Sequence, residues 1–228
     1  MSDDDHQDEH RPTRLILVRH GESVATVNRV IGGPRTCAGL SDLGRQQAER
    51  LRERLARSAE FEARALLSSG YPRARETAEL IAPALGVDVE IVTEFGEHDP
   101  GPDCDGLTFQ EFIDRHGMPD WETDPYAVTF PGGETVAEFH HRVARALADG
   151  VRRHVGGTVV IVCHGGVIDV AIRRTLRASM TGDFDLHTRN TSITELVLGR
   201  PGRWRLVRYN DVAHLDGLPI ETPRPDET

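Results

Sequence analysis

Leu15-Ile16-Leu17-Val18-Arg19-His20-Gly21-Glu22-Ser23, LILVRHGES, opens the part of this 228-residue chain that can pack. Four consecutive apolar residues bounded by a glycine read as a short strand buried on both faces, the kind found in a parallel sheet covered by helices. In open α/β sheets ligands bind outside the carboxyl ends of the strands, which is where Arg19 and His20 stand. A lone histidine after a core strand is more often a buried structural side chain. Its meaning therefore depends on what the rest of the chain brings to the same edge.

Working outward, the same pattern recurs twice. Ala65, Leu66 and Leu67 form a second apolar run that ends in Ser68, Ser69 and Gly70, followed by a helix that starts at Pro72 and stops at Gly86. Thr158 to Cys163, TVVIVC, reads as a buried strand ending in His164, Gly165 and Gly166, with a helix running to about Arg177. Between these lie a helix capped by Ser41 with Leu43, Ala48, Leu51 and Leu55 at helical spacing, and a strand over Val87 to Val92. A long amphipathic helix places Val136, Phe139, Val143, Leu147 and Val151 on one face. Two late runs, ITELVL and RWRLVRY, complete the sheet. Residues 94–133, rich in Gly, Pro, Asp and aromatics and with one helical segment from Phe109 to His116, read as a cap over the strand ends. The expected architecture is one three-layer α/β/α domain over 14–215 with a mostly parallel sheet. An acidic tail over 1–13 is expected to be disordered, and the Pro- and acid-rich residues 216–228 mobile.

Composition narrows the function. The 37 acidic and 27 basic residues leave a formal charge of −10, the wrong sign for a general nucleic-acid binder. No lysine occurs, so every basic side chain other than histidine is an arginine, suited to bidentate recognition of phosphate or carboxylate. No apolar run could span a membrane and the acidic N-terminus is no export signal, so cytoplasmic residence without a membrane partner is expected. Cys37, Cys104 and Cys163 form neither a C-x-x-C pair nor a disulfide framework. His140 and His141 are adjacent and so point to different sides of their helix, unlike ligands of one metal.

Parallel strands with right-handed crossovers would bring Arg19, His20, Ser68, Ser69, Arg73 and His164 to one edge of the sheet. Two histidines, two arginines and the helix N-termini after Gly21, Gly70 and Gly165 make an anion site, and a phosphoryl group fits it best.

RHGES (Arg19 to Ser23), SSGYPRARETA (Ser68 to Ala78) and CHGG (Cys163 to Gly166), in that order, resemble the three signature blocks of the histidine phosphatase superfamily. The resemblance is to the branch that holds cofactor-dependent phosphoglycerate mutases and related phosphatases. LSDLGRQQA and PGGETVAEF are similar to the family's helix openings, and the likeness runs from about Arg14 to Leu215. It implies a phosphoglycerate mutase-like fold, with His20 as the nucleophile that becomes phosphohistidine and Arg19, Arg73 and His164 holding the phosphoryl oxygens. Gly165, Glu22 and Ser23 would line or support the pocket. The family places an Asn nearer to the first block than Asn28, and Thr26 holds that nearer position here, so Asn28 is a substrate-binding candidate with an altered spacing. Glu97, four residues before Gly101, fits the family's acid, with Glu94 as the alternative; Glu134 is a further residue that could approach. His98, His116, His187 and His214 belong to no block, although His214 in NDVAHL resembles a C-terminal segment of some relatives.

The implied activity is metal-independent hydrolysis of a small phosphorylated substrate, with no cofactor, since arginine forks can stabilise the transition-state charge. Two alternatives stand beside it: a cofactor-dependent phosphoglycerate mutase, and a non-catalytic relative that binds phospho-ligands or a partner. The residues of the cap, with Arg115 against ten acids, argue for water as acceptor and for a neutral or cationic leaving group. A homodimer is left open.

Overall fold

A computed structural model describes residues 11–120, 123–124, 126–128, 130–180, 185–199 and 202–219. β1 spans Thr13–Arg19 and is buried along almost its whole length, as a run of apolar residues predicts for a central strand. It is followed by a single turn of helix, α1 (Val24–Val27), and by α2 (Asp42–Ser58), whose N-cap Ser41 accepts the Gly44 N–H. β2 (Ala63–Ser68) leads to α3 (Pro72–Leu85), which begins on a proline and ends on Gly86 at φ 68°, a left-handed cap that favours glycine. Then come β3 (Val89–Ile91), a 3₁₀ turn (Thr93–Phe95), α4 (Phe109–His116) and α5 (Val136–Arg153), the last two each opened by a capping box. β4 (Thr158–Cys163), α6 (Gly165–Leu176), β5 (Ile193–Leu198), β6 (Trp204–Asp211) and a 3₁₀ turn (Ala213–Leu215) complete the order.

The six strands form one sheet in the order β3-β2-β4-β1-β5-β6. β3, β2, β4 and β1 are parallel, while β5 and β6 are antiparallel additions at one side. The three-layer, mostly parallel sheet is as expected. One face of it packs Leu15, Leu17, Ile161 and Cys163 against Phe139, Val143 and Leu147 of α5 and Val167, Ile168 and Ile172 of α6. The other packs Ile16, Val18, Val160 and Val162 against Leu51 and Leu55 of α2 and Ala74, Ala78 and Ile81 of α3. Alternate residues of β1 and β4 thus serve opposite cores, which is why both strands are apolar throughout.

Some boundaries differ. Thr13 already pairs with Leu198, so the sheet begins one residue inside the expected tail, whose residues 1–10 lie outside the described residues. Of the expected tail at the other end, 220–228 lie outside them as well. The third strand is three residues rather than six, because only Val89–Ile91 find partners on β2. No helix among the described residues is long and apolar enough to cross a membrane.

Candidate active site

Parallel register sets the site. Arg19 lies opposite Cys163 and Ser68 opposite Val162, so β1, β2 and β4 end together and release His20, Ser69 and His164 at one edge. Backbone bonds continue the ladder past the strands: His20 N donates to Cys163 O (3.0 Å) and Ser69 N to Val162 O (3.0 Å). The rings of His20 and His164 lie 5.0 Å apart, edge to face.

The proton on His20 can be placed. Its Nδ1 is 2.7 Å from the Gly21 carbonyl, which can only accept, so Nδ1 carries the hydrogen. Nε2 then holds the lone pair, and it accepts Arg73 Nε–H at 3.1 Å. Two independent contacts therefore agree on one tautomer of a neutral imidazole. Arg73, in the first turn of α3, is itself held by Gly32 O (3.0 Å), Cys37 Sγ (3.4 Å) and the face of Tyr71. Arg19 donates to Thr188 O.

His164 is wholly buried, with Nε2 against Ser69 Oγ at 2.7 Å. Its buried Nδ1 has no hydrogen-bond partner among the described residues. Burial, then the charges of Arg73, His20 and Arg19, hold its pKa well below the usual histidine value, so it is neutral.

A cavity of about 290 Å³ opens above this edge, lined by Arg19, His20, Ser23, Arg73, Glu97, Gly165 and Gly166 on one side. The carboxylate of Glu97 accepts Gly166 N–H (3.1 Å) at the start of α6 and its neighbour His98 N–H (3.1 Å). Glu94 is exposed, its carboxylate accepts the Thr93 hydroxyl (3.3 Å), and it is absent from this lining. Of the expected site residues, Arg19, His20, Ser23, Arg73, Glu97 and Gly165 therefore line one cavity, and His164 packs against His20.

Three candidates lie elsewhere. Asn28 is exposed at the C-cap of α1 and does not reach the cavity, because the short helix turns it outward. Glu22 is buried beneath the site, accepting the Ser41 hydroxyl at 2.7 Å, so it braces the loop without lining the pocket. Glu134 likewise stays out of the lining: Arg142 grips it bidentately (2.6 and 2.7 Å), which outweighs burial and holds its carboxyl below the usual range.

Several residues escaped the sequence reading. Arg142 also donates to the carbonyls of Glu94, Gly96 and Glu97, fixing the segment that carries Glu97. His98, which belongs to no motif, lines the cavity and bonds Glu134 O at 2.7 Å. Asn190 Nδ2 donates to His20 O (2.8 Å) and Thr191 N–H to Arg19 O (2.9 Å). Thr191 sits at φ 52°, a costly conformation for a β-branched residue, and its hydroxyl bonds His214 Nε2 at 3.0 Å. No local signal marks Asn190 and Thr191: β5 pairs antiparallel with β1, so the residues just before it arrive at the edge that holds His20.

The model of the histidine phosphatase superfamily, branch 1, matches residues 15–212. The chain belongs to this superfamily. It is 33% identical over 207 residues to phosphoglycerate mutase-like protein 4 of Arabidopsis thaliana, covering 89% of this chain and 86% of that protein. Among solved structures, a phosphoserine phosphatase from Entamoeba histolytica, crystallised as a histidine-to-alanine mutant with phosphoserine, superposes with a TM-score of 0.73. Identity there is 28%, over 89% of this chain and 99% of the other. A mycobacterial glucosyl-3-phosphoglycerate phosphatase solved with VO3 gives a TM-score of 0.72 at 26% identity, over 86% and 98%. As a superfamily member with phosphatases among its structural neighbours, the chain has the frame of a phosphate-ester enzyme.

Proposed function

We propose that this protein is a phosphatase that hydrolyses phosphate monoesters through a phosphohistidine on His20. The observation that carries the reading is the His20 tautomer: a neutral imidazole with its hydrogen tied to Gly21 O presents the Nε2 lone pair beside an arginine that lines the cavity.

In the first step Nε2 attacks phosphorus and the bond to the leaving oxygen breaks, while Glu97 in its acid form gives that oxygen a proton. In this reading the oxygens of the phosphoryl group are held by Arg19, Arg73 and the Gly165 amide at the start of α6, with His164 beside them. In the second step the Glu97 carboxylate takes a proton from water, the resulting hydroxide attacks phosphorus, and the P–N bond breaks to give phosphate and free His20. Phosphatases among the structural neighbours support hydrolysis. A mutase would need a cationic subsite for the second anionic group of its substrate, and among the described residues the arginines of the cavity lining are Arg19 and Arg73.

Brief reaction with a phosphate ester in the presence of chelator, followed by denaturation, should trap an acid-labile, base-stable phosphate on His20 that is absent from His20→Ala. Undiminished turnover by that variant would remove the reading.

A further inference from the structure

Apart from the phosphoryl-binding groups the cavity lining is mostly apolar: Ala25, Val30, Ile31, Pro100 and Phe130, with Thr26 and His98. These walls are preformed. Ile31 is tied to the cap on both sides of its peptide, N–H to Leu107 O (2.7 Å) and O to Gly106 N–H (2.8 Å), next to a bridge between Val30 and Thr108. The Phe130 ring is set between His98 (5.5 Å) and the edge of buried Phe112 (5.2 Å). His98 Nε2–H points away into the cap, to Glu134 O.

Among the described residues that line the cavity, the charged side chains are Arg19 and Arg73 at the phosphoryl end and Glu97. Of the cap's other acids, Asp99 accepts Gly101 N–H, Asp105 accepts Gly33 and Arg35 N–H, and Glu111 serves its own helix cap. An anionic leaving group would thus lose its hydration against an apolar wall with no counter-charge, and a cationic one would find only the carboxyl that has to move protons.

We infer that this site selects monophosphate esters whose leaving group is a compact, apolar, uncharged alcohol or phenol, with Ile31 and Phe130 as its specificity walls. The inference rests on the phosphatase reading above. It replaces the sequence-based expectation of an acidic lid with an apolar one, and a cavity of about 290 Å³, at the small end of ligand sites, leaves room for about one ring beyond the phosphate.

The test compares esters alike in shape and different in charge: phenyl, 4-carbamoylphenyl, 4-carboxyphenyl and 4-(aminomethyl)phenyl phosphate, with 3-phosphoglycerate alongside. The two neutral esters should exceed each charged one by at least about tenfold in kcat/KM. Ile31→Arg should raise the ratio of carboxyl to carbamoyl ester about tenfold, and Phe130→Ala should lower kcat/KM for phenyl phosphate by a similar factor. Equal or faster hydrolysis of any charged ester by the wild type overturns the inference and leaves the phosphatase reading standing. No hydrolysis of any ester, with no phosphate on His20, overturns both.

Discussion

At the scale of single residues the arrangement poses a problem of protons. In the proposed reaction His20 must be neutral to attack, and its Nδ1–H bond to Gly21 O fixes that form. His164, neutral beside it, adds no positive charge that would draw the Nε2 lone pair away. On the proposed mechanism the acid comes from the cap, and Glu97 is the cap carboxylate among the described residues that lines the cavity. Its two oxygens are already oriented by Gly166 and His98 N–H, and its backbone carbonyl by Arg142. Glu97→Gln removes the proton carrier, so kcat for an alkyl phosphate should fall by about 10²-fold or more, with a smaller loss for 4-nitrophenyl phosphate in its first step. Near wild-type turnover in Glu97→Gln together with loss in Glu94→Gln would transfer the role. Glu97 was readable from its spacing to Gly101 once the resemblance was recognised. Arg142 was not, since within an amphipathic helix nothing in its pattern separates an arginine that reaches back over a loop from one in solvent.

Elements show why the strand ends are rigid enough to hold such a site. The first turn of α2 lies directly on the backbone that follows His20: Ser41 N–H bonds Glu22 O (2.9 Å) and Gln47 Oε1 accepts Glu22 N–H (2.8 Å). A Cβ on Gly21 would meet Gly44 O at 2.5 Å, and one on Gly44 would run into the Glu22 peptide, so both positions require glycine for close approach. Gly44→Ala should therefore cost about 1–3 kcal/mol by overpacking, on the order of 2–10 °C in Tm for a chain of this size. It should also reduce kcat more than it raises KM, because the displaced loop follows His20, the proposed nucleophile. An alanine variant with wild-type melting and turnover would contradict this account of α2. The strands and helices that carry the site were legible because each has a local cause: β-run, proline start, serine cap, glycine stop. Strand direction has no local cause. β5 and β6 could be recognised as strands, yet only the sheet order reveals that β5 starts beside His20 and delivers Asn190 and Thr191 there.

The whole molecule adds a dependence on acid that runs through the same region. Four histidines among the described residues have depressed pKa values, each chiefly through burial: His164 well below its usual value, His140 and His214 at about 4, and His154 lowered as well. In the unfolded chain each titrates near 6.5. Since the folded values are depressed, their contribution is complete above about pH 6.5 and is lost as pH falls from there towards 4, by at most about 1.4 kcal/mol per pH unit for each. A second set acts lower. The Arg54 hydrogen bond (2.7 Å) holds the Asp211 carboxyl far below the usual range, and against the burial penalty Arg54 and Arg208 hold Glu60 down as well. These depressed carboxylates stabilise the fold above about pH 4 and are lost only below it. The two windows meet at His214, which lies 3.5 Å from Arg54 Nη1 and bonds Thr191, the residue behind the His20 backbone. Melting followed from pH 8 to pH 3 should show a level region, a decline beginning near pH 6.5, and a steeper one below pH 4. His214→Gln, which keeps a polar group facing Thr191 and cannot be protonated, should make the first decline shallower and leave the second in place. A flat profile between pH 7 and pH 5 would show that these histidines are not held neutral, and with that would go the argument that His164 leaves the His20 lone pair undisturbed.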